Sequence, residues 1–257
     1  MLTRYGALRV DPILFCAAVT TIAAVCALPI LYRLGELSKL FDCRYLPWLI
    51  AMSMSGTFLT SITMIYGMQH IDAIAGVILL QTEPVYSLIL STVVVGERPS
   101  SRQLLATATI LVGIGSVFLS GSAFSPLSAA ALLFVTPFFW QTSHVLGLRV
   151  MPPLRPICIA GARFFFAACI FIPMFALRRN ASLAQLADPR LLMVIVATGF
   201  FVYFLSALTW YGAISRLSLS WTTALVVPGV PLISMLFAMV FLGEHPTARE
   251  VTGVLVA

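Results

Sequence analysis

VVVGERPSSRQ at residues 93–103 and VFLGEHPTARE at residues 240–250 are the two stretches that decide the fold. They are separated by a constant offset of 147 residues, across which Val93/Val240, Gly96/Gly243, Glu97/Glu244, Pro99/Pro246 and Arg102/Arg249 are identical. The same offset pairs Pro84 with Pro231 and Ser87 with Ser234. Each residue type has a local reason. Gly96 and Gly243 can end a helix in the left-handed conformation. Pro99 and Pro246 stop that helix from continuing. Ser100 with Gln103, and Thr247 with Glu250, have the spacing of a capping box, which starts the next helix. The pattern predicts a tight helix–turn–helix joint, used twice.

Working outward from the joints, the flanking sequence is apolar almost throughout. The chain has 257 residues, 60% hydrophobic and 9% charged. Soluble domains carry ~25% charged residues. The deficit excludes a soluble enzyme, a disordered chain and a nucleic-acid binder as main readings. The net charge of +6 comes from 14 Arg and one Lys scattered singly, with no basic block. A helix needs ~20 apolar residues to cross a bilayer. Nine candidate runs occur, at roughly 12–34, 46–68, 73–95, 101–120, 127–147, 156–177, 191–213, 218–242 and 248–257. They are continuous and twice as long as the alternating ~10-residue segments of a membrane barrel. Tyr32, Trp48, Tyr66, Trp210, Tyr211 and Trp221 sit near run ends, where headgroup-level aromatic belts are expected. Counted by alternate loops, eight basic residues fall on one side and six on the other. That is a weak bias of the first side toward the cytoplasm. The expected fold is an all-α, polytopic membrane bundle.

The two joints follow spans three and eight. Five crossings, an odd number, separate them, so the copies run in opposite directions through the membrane. Inverted repeats of this kind are a signature of secondary transporters. A symmetric scaffold is the structural alternative.

The segment IDAIAGVILLQTEPVYSLILSTVVVGERPSSRQLLATATILVGIGSVFLSG, residues 71–121, resembles the second half of an EamA-type repeat of the drug/metabolite transporter superfamily. The pair Glu83-Pro84, the Gly96-Glu97-Arg98 joint, and Gly113 and Gly115 carry the likeness. Residues 217–257 resemble the equivalent part of a second repeat. The resemblance implies ten helices as five plus five, with repeats at 1–121 and 122–257. The first helix is expected to be missing and the last truncated. It also implies a small metabolite or drug-like solute, moved as by an exporter or permease, with coupling to protons as one option. A multi-pass position in the inner (plasma) membrane and a possible homodimer complete the expectation. A non-transporting scaffold or pore, inactive through truncation, is the alternative.

Polar residues inside the runs are the candidate site. Glu83 falls at the middle of 73–95, where an ionised carboxylate costs ~2.5–3.5 kcal/mol. Pro84 follows and removes a backbone N–H. Pro228 and Pro231 lie around the midpoint of the corresponding span. Interrupted helices at matching positions point to a central binding site. Glu83 is a candidate for proton coupling or cation binding, or simply for a hydrogen bond that fixes packing. Arg163, near the middle of 156–177, is a candidate to bind an anion, to pair with Glu83, or to reach a surface along its stem. Glu83, Tyr86, Ser87 and Ser91 share a helical face. So do Ser53, Thr57, Thr60 and Ser61, and Ser206 and Thr209 are expected together near Tyr203. Such hydroxyl stripes line pathways or allow close helix packing. His144, near the end of its run, is expected to face a loop.

No phosphate-binding GxxxxGK[ST] loop, HExxH or GxSxG motif occurs, so ATP-driven pumping, metalloprotease and serine-hydrolase chemistry lack their usual parts. Cys16, Cys26, Cys43, Cys158 and Cys169 have no metal-ligand spacing and read as small apolar fillers. No catalytic residue, cofactor or metal is expected.

Overall fold

The computed structural model describes residues 2–118, 126–178, 182–226, 229–243 and 251. Among them the secondary structure is helical, without strands. The chain runs through α1 (Leu2–Arg9), α2 (Pro12–Arg33), α3 (Leu46–Ser53), α4 (Thr60–Met68), α5 (Ala73–Leu80), α6 (Glu83–Leu90) and α7 (Ser101–Phe118). It continues through α8 (Leu127–Val150), α9 (Pro156–Ala176), α10 (Pro189–Ala197), α11 (Ser206–Ile214), α12 (Leu219–Val226) and α13 (Gly229–Leu242). π-helical turns at Met54–Leu59 and Thr198–Leu205 join α3 to α4 and α10 to α11, and a third, Ser91–Val95, extends α6. Six helical stretches among the described residues are long and apolar enough to cross a membrane: Pro12–Arg33, Leu46–Met68, Ala73–Val95, Leu127–Val150, Pro156–Ala176 and Pro189–Ile214. The short helix α1 precedes the first apolar run and carries no such signal. Pro228, Glu244 and Pro246 lie outside the described residues, as do His245, Thr247, Arg249 and Glu250.

The chain packs as two compact units that interleave the sequence halves. One, the Arg163 unit, comprises Leu2–Ile62 with Thr142–Leu217; the other, the Glu83 unit, comprises Thr63–Gln141 with Ser218–Ala257. Two of the boundaries fall inside α4 and α8, and the third lies between α11 and α12.

In the Arg163 unit, α2 and α9 lie antiparallel. Asp11, just before α2, pairs with Arg178, just after α9. At the other end Glu36, after α2, pairs with Arg155, before α9 (3.1 Å), and with Lys39 (3.1 Å). Asp11 also caps α2, its Oδ1 accepting from the N–H of Ile13 (2.9 Å) and Leu14 (3.0 Å). Small residues allow the close approach that membrane packing requires. A Cβ on Gly161 would meet Leu31 Cδ1 at 2.8 Å and Ala27 Cβ at 3.2 Å.

In the Glu83 unit, Met68, Ile74, Ile78, Leu79, Ile110 and Leu133 build a buried core. Its joint behaves as its residues dictate. Gly96 sits at φ 80°, and its N–H and that of Glu97 both return to the Ser91 carbonyl. Ser100 and Gln103 form the capping box: Gln103 Oε1 accepts from the Ser100 N–H (2.7 Å) and Ser100 Oγ from the Gln103 N–H (3.3 Å). Gly243, at φ 66°, follows α13 in the same conformation. Glu97 does more than turn the chain. Its carboxylate accepts from Ser220 Oγ (2.6 Å) and from the Leu219 N–H (3.4 Å), so the first joint holds the N-terminus of α12.

Candidate functional site

The span Ala73–Val95 is broken at its centre. α5 stops at Leu80, Gln81 and Thr82 form a turn, and α6 begins at Glu83. Gln81 and Thr82 donate to Ile78 (3.1 Å) and Leu79 (3.2 Å), three residues back instead of four. Pro84 has no N–H, so the Leu80 carbonyl lacks the donor an unbroken helix would supply. Thr82 Oγ1 donates to the Leu79 carbonyl (2.9 Å). Glu83 is thereby set on the first turn of α6, partly exposed, with its Oε1 accepting from Gln141 Nε2 of α8 (2.8 Å). Gln141 is buried, and its Oε1 has no partner among the described residues. Two acceptors, a carboxylate and an amide oxygen, therefore sit together at the break, a pattern that suits a proton or a cationic group. On another side of α6, Pro84, Ser87, Gln103, Thr107, Ser220 and Thr223 line part of a cavity of about 360 Å³. Glu83 is not among its lining residues.

The Arg163 unit holds a second polar cluster. Arg163 is 6% exposed, in the middle of α9. Its Nε donates to Thr57 Oγ1 (3.2 Å), NH1 to Tyr211 OH (2.9 Å) and NH2 to the Gly56 carbonyl. Gly56 and Thr57 belong to the π-turn Met54–Leu59. Ser53 Oγ donates to the Arg163 carbonyl (2.7 Å) and Ser143 Oγ to the Met52 carbonyl (3.1 Å), tying α3, α8 and α9 together. Tyr211 is 0% exposed. Its ring meets the His144 ring edge-on at 5.9 Å, and His144 lies over Trp210 at 5.0 Å.

These placements revise several expectations. Within its own unit Arg163 donates to neutral acceptors, and within the other Glu83 accepts from the neutral Gln141 amide. His144 is 7% exposed and faces Trp210 rather than a loop, because α8 continues to Val150 and leaves it more than a turn from the helix end. Tyr211 is a buried hydrogen-bond acceptor for Arg163, not a belt residue, whereas Tyr32, at 75% exposed, has the exposure a belt residue needs. The stripe on α6 divides. Glu83 and Tyr86 turn to α8, Tyr86 meeting Phe134 and Phe138 edge-on, while Ser87 bonds Thr223 of α12 (3.1 Å). Ser91 bonds back to the Leu88 carbonyl (3.3 Å). In the other stripe, Ser53 and Thr57 reach Arg163, Ser61 bonds Tyr203 (3.1 Å), and Thr60 is buried. Ser206 is exposed, and Thr209 bonds its own helix through the Leu205 and Ser206 carbonyls. Pro231 is the third residue of α13. Among the described residues no group of His, Cys, Asp and Glu is arranged to hold a metal ion.

The profile of the EamA-like transporter family matches residues 1–119 and 127–257. An uncharacterized transporter of Archaeoglobus fulgidus is 22% identical over 217 residues, covering 84% of this chain and 76% of the relative. A probable terminal-alkyne amino-acid exporter of Streptantibioticus cattleyicolor is 26% identical over 230 residues, covering 82% and 70%. A crystallographically solved chain superposes with a TM-score of 0.75 at 16% identity, over 99% of this chain and 87% of its own, which speaks to the fold.

Proposed function

The chain belongs to the EamA-like transporter family of multi-span membrane proteins, and on that premise we propose that it is a secondary active transporter working by alternating access. The solute is a small metabolite or drug-like molecule, and the moving parts are two inverted repeats, 1–121 and 122–257. The observation that carries this reading is the broken span with Glu83 at the break and Gln141 beside it. A carboxylate deep in a bilayer is costly and marks ion or substrate pathways. Broken helices at the midplane are where transporters build such sites. Two features support the repeat. Displaced by the 147-residue offset, the π-turn Met54–Leu59 overlaps Thr198–Leu205. Gly96 and Gly243 share the left-handed conformation. In this mechanism Glu83 takes up a proton or holds a cationic group while the halves rock between inward- and outward-open states. The amino-acid exporter among the relatives makes amino acids the first solutes to try. A helical bundle rather than a β-barrel suits the inner, plasma membrane.

The test is uptake of labelled L-norvaline and L-propargylglycine into proteoliposomes across a pH series. Glu83→Gln, which keeps the shape and removes the ionisable group, should abolish the pH dependence. Unchanged uptake with an unchanged pH response would remove Glu83 from the mechanism.

A further inference from the structure

We infer that Arg163, with Tyr211, His144 and Trp210 around it, forms a binding site for a small monocarboxylate group; this deepens the transporter reading and rests on it. The first ground is charge. Arg163 is buried in the middle of a membrane span, and its acceptors, a hydroxyl, a phenol and a backbone carbonyl, are all neutral. The unit has four acidic residues, and each is occupied elsewhere. Asp11 pairs with Arg178 and caps α2; Glu36 pairs with Lys39 and Arg155. Asp42 accepts from the Arg44 N–H (2.9 Å) and Asp188 from the Arg190 N–H (2.9 Å). A buried, unneutralised guanidinium is expensive and is ordinarily matched by an anion.

The second ground is a set of polar atoms with nothing to bond. A guanidinium has five N–H donors, and three hydrogen bonds engage Arg163, leaving one donor on each terminal nitrogen without an acceptor among the described residues. Trp210 Nε1 and His144 Nδ1 are also buried with no partner among the described residues. They belong to the ring stack that continues through Tyr211 to the guanidinium. Two guanidinium donors, an indole N–H and an imidazole nitrogen, set among aromatic faces, suit a planar oxyanion carried on a small apolar body. One cation matches one negative charge. A phosphate, which carries more than one negative charge on average at neutral pH, would leave net charge buried. The fork geometry of Arg is what recognises a carboxylate through two parallel bonds. The backbone is fitted to this use. A Cβ on Gly56 would overlap Ser143 Cβ and Oγ on α8, so a side chain there would push the π-turn, and the carbonyl that accepts from Arg163, away from the guanidinium.

The test uses the full chain in detergent with Trp48, Trp140 and Trp221 replaced by Phe, so that emission reports Trp210 alone. Butyrate, butyramide, butylamine and inorganic phosphate are titrated at constant ionic strength. Butyrate should give a saturable change, with butyramide, butylamine and phosphate at least about tenfold weaker, because each lacks the charge or the planar fork partner. Arg163→Gln should abolish the butyrate response, and Arg163→Lys should weaken it about tenfold by keeping the charge without the fork. If Arg163→Gln does not fold, His144→Phe, which preserves a ring against Trp210, should weaken butyrate binding several-fold. Absence of a saturable butyrate response, a response unchanged by Arg163→Lys and His144→Phe, or an equal response to phosphate or butyramide would overturn the site. The two readings fail separately. Arg163-dependent binding without solute flux in proteoliposomes refutes the transporter and leaves the site. Flux without an Arg163-dependent response refutes the site and leaves the transporter.

Discussion

Replacing Gly56 with alanine tests whether the Arg163 cluster depends on backbone approach. The added Cβ would overlap Cβ and Oγ of Ser143 and lie 2.9 Å from Arg163 NH2. The arginine tip can yield, but the Ser143 Cβ is fixed by α8, so the π-turn must move. Overpacking of this kind costs about 1–3 kcal/mol. Displacing the Gly56 carbonyl also weakens a hydrogen bond from a buried cation, a further ~1.5–3 kcal/mol. The sum, about 2.5–6 kcal/mol, corresponds to roughly 10²- to 10⁴-fold in the unfolding equilibrium. Ser143→Gly alone removes one hydrogen bond, to the Met52 carbonyl, and puts a glycine inside a helix, together ~1.5 kcal/mol. The double variant removes the overlap. It should therefore be less destabilised than Gly56→Ala alone, with a favourable coupling of about 2 kcal/mol. Reversible unfolding in mixed micelles of dodecyl maltoside and sodium dodecyl sulfate measures all four proteins. Additivity within ~0.5 kcal/mol, or a neutral Gly56→Ala, would refute the packing on which the cluster is built.

Two further substitutions probe single contacts. Tyr211→Phe keeps the ring and removes the phenol that accepts from Arg163 at 2.9 Å, so the same unfolding assay should show a loss of ~1.5–3 kcal/mol; a loss below ~0.5 kcal/mol would mean that the bond is dispensable. Gly96→Ala meets no atom within 4 Å, so its cost is that of a left-handed backbone alone, about 1–2 kcal/mol, and thermal unfolding of the variant in detergent should register it as a lowered midpoint.

The parts of the molecule that were legible in the sequence are those fixed by backbone chemistry. Gly96, Pro99, Ser100 and Gln103 each have one conformational use in a helix–turn–helix joint, and each takes it. Pro84 announces the break in its span for the same reason. Which way a side chain points within an apolar helix is a different matter. Lipid and protein interior are both apolar, so the faces of α8 and α11 carry no alternation from which to assign His144, Trp210 and Tyr211. A run that ends at Gly147 puts His144 beside a loop, whereas a helix that reaches Val150 keeps it in the interior. Extending it through Leu148 and Val150 to the terminal Arg149 is the signal that recovers it. Hydroxyl stripes proved equally ambiguous, since Ser53 reaches another helix while Thr209 bonds its own. The π-turns at 54–59 and 198–205 have no residue signature at all, yet the first supplies the Gly56 carbonyl and the Thr57 hydroxyl to Arg163. Glu97 was legible as a turn residue, but not as the acceptor for Ser220, because that contact spans 123 residues.

Counterflow in proteoliposomes tests the central account most directly. Vesicles loaded with unlabelled L-norvaline and diluted into labelled L-norvaline should show transient accumulation of label above equilibrium, because one site must serve both faces of the membrane in turn. Label that only equilibrates, at the same rate with empty and with loaded vesicles, would contradict alternating access and leave a pore in its place.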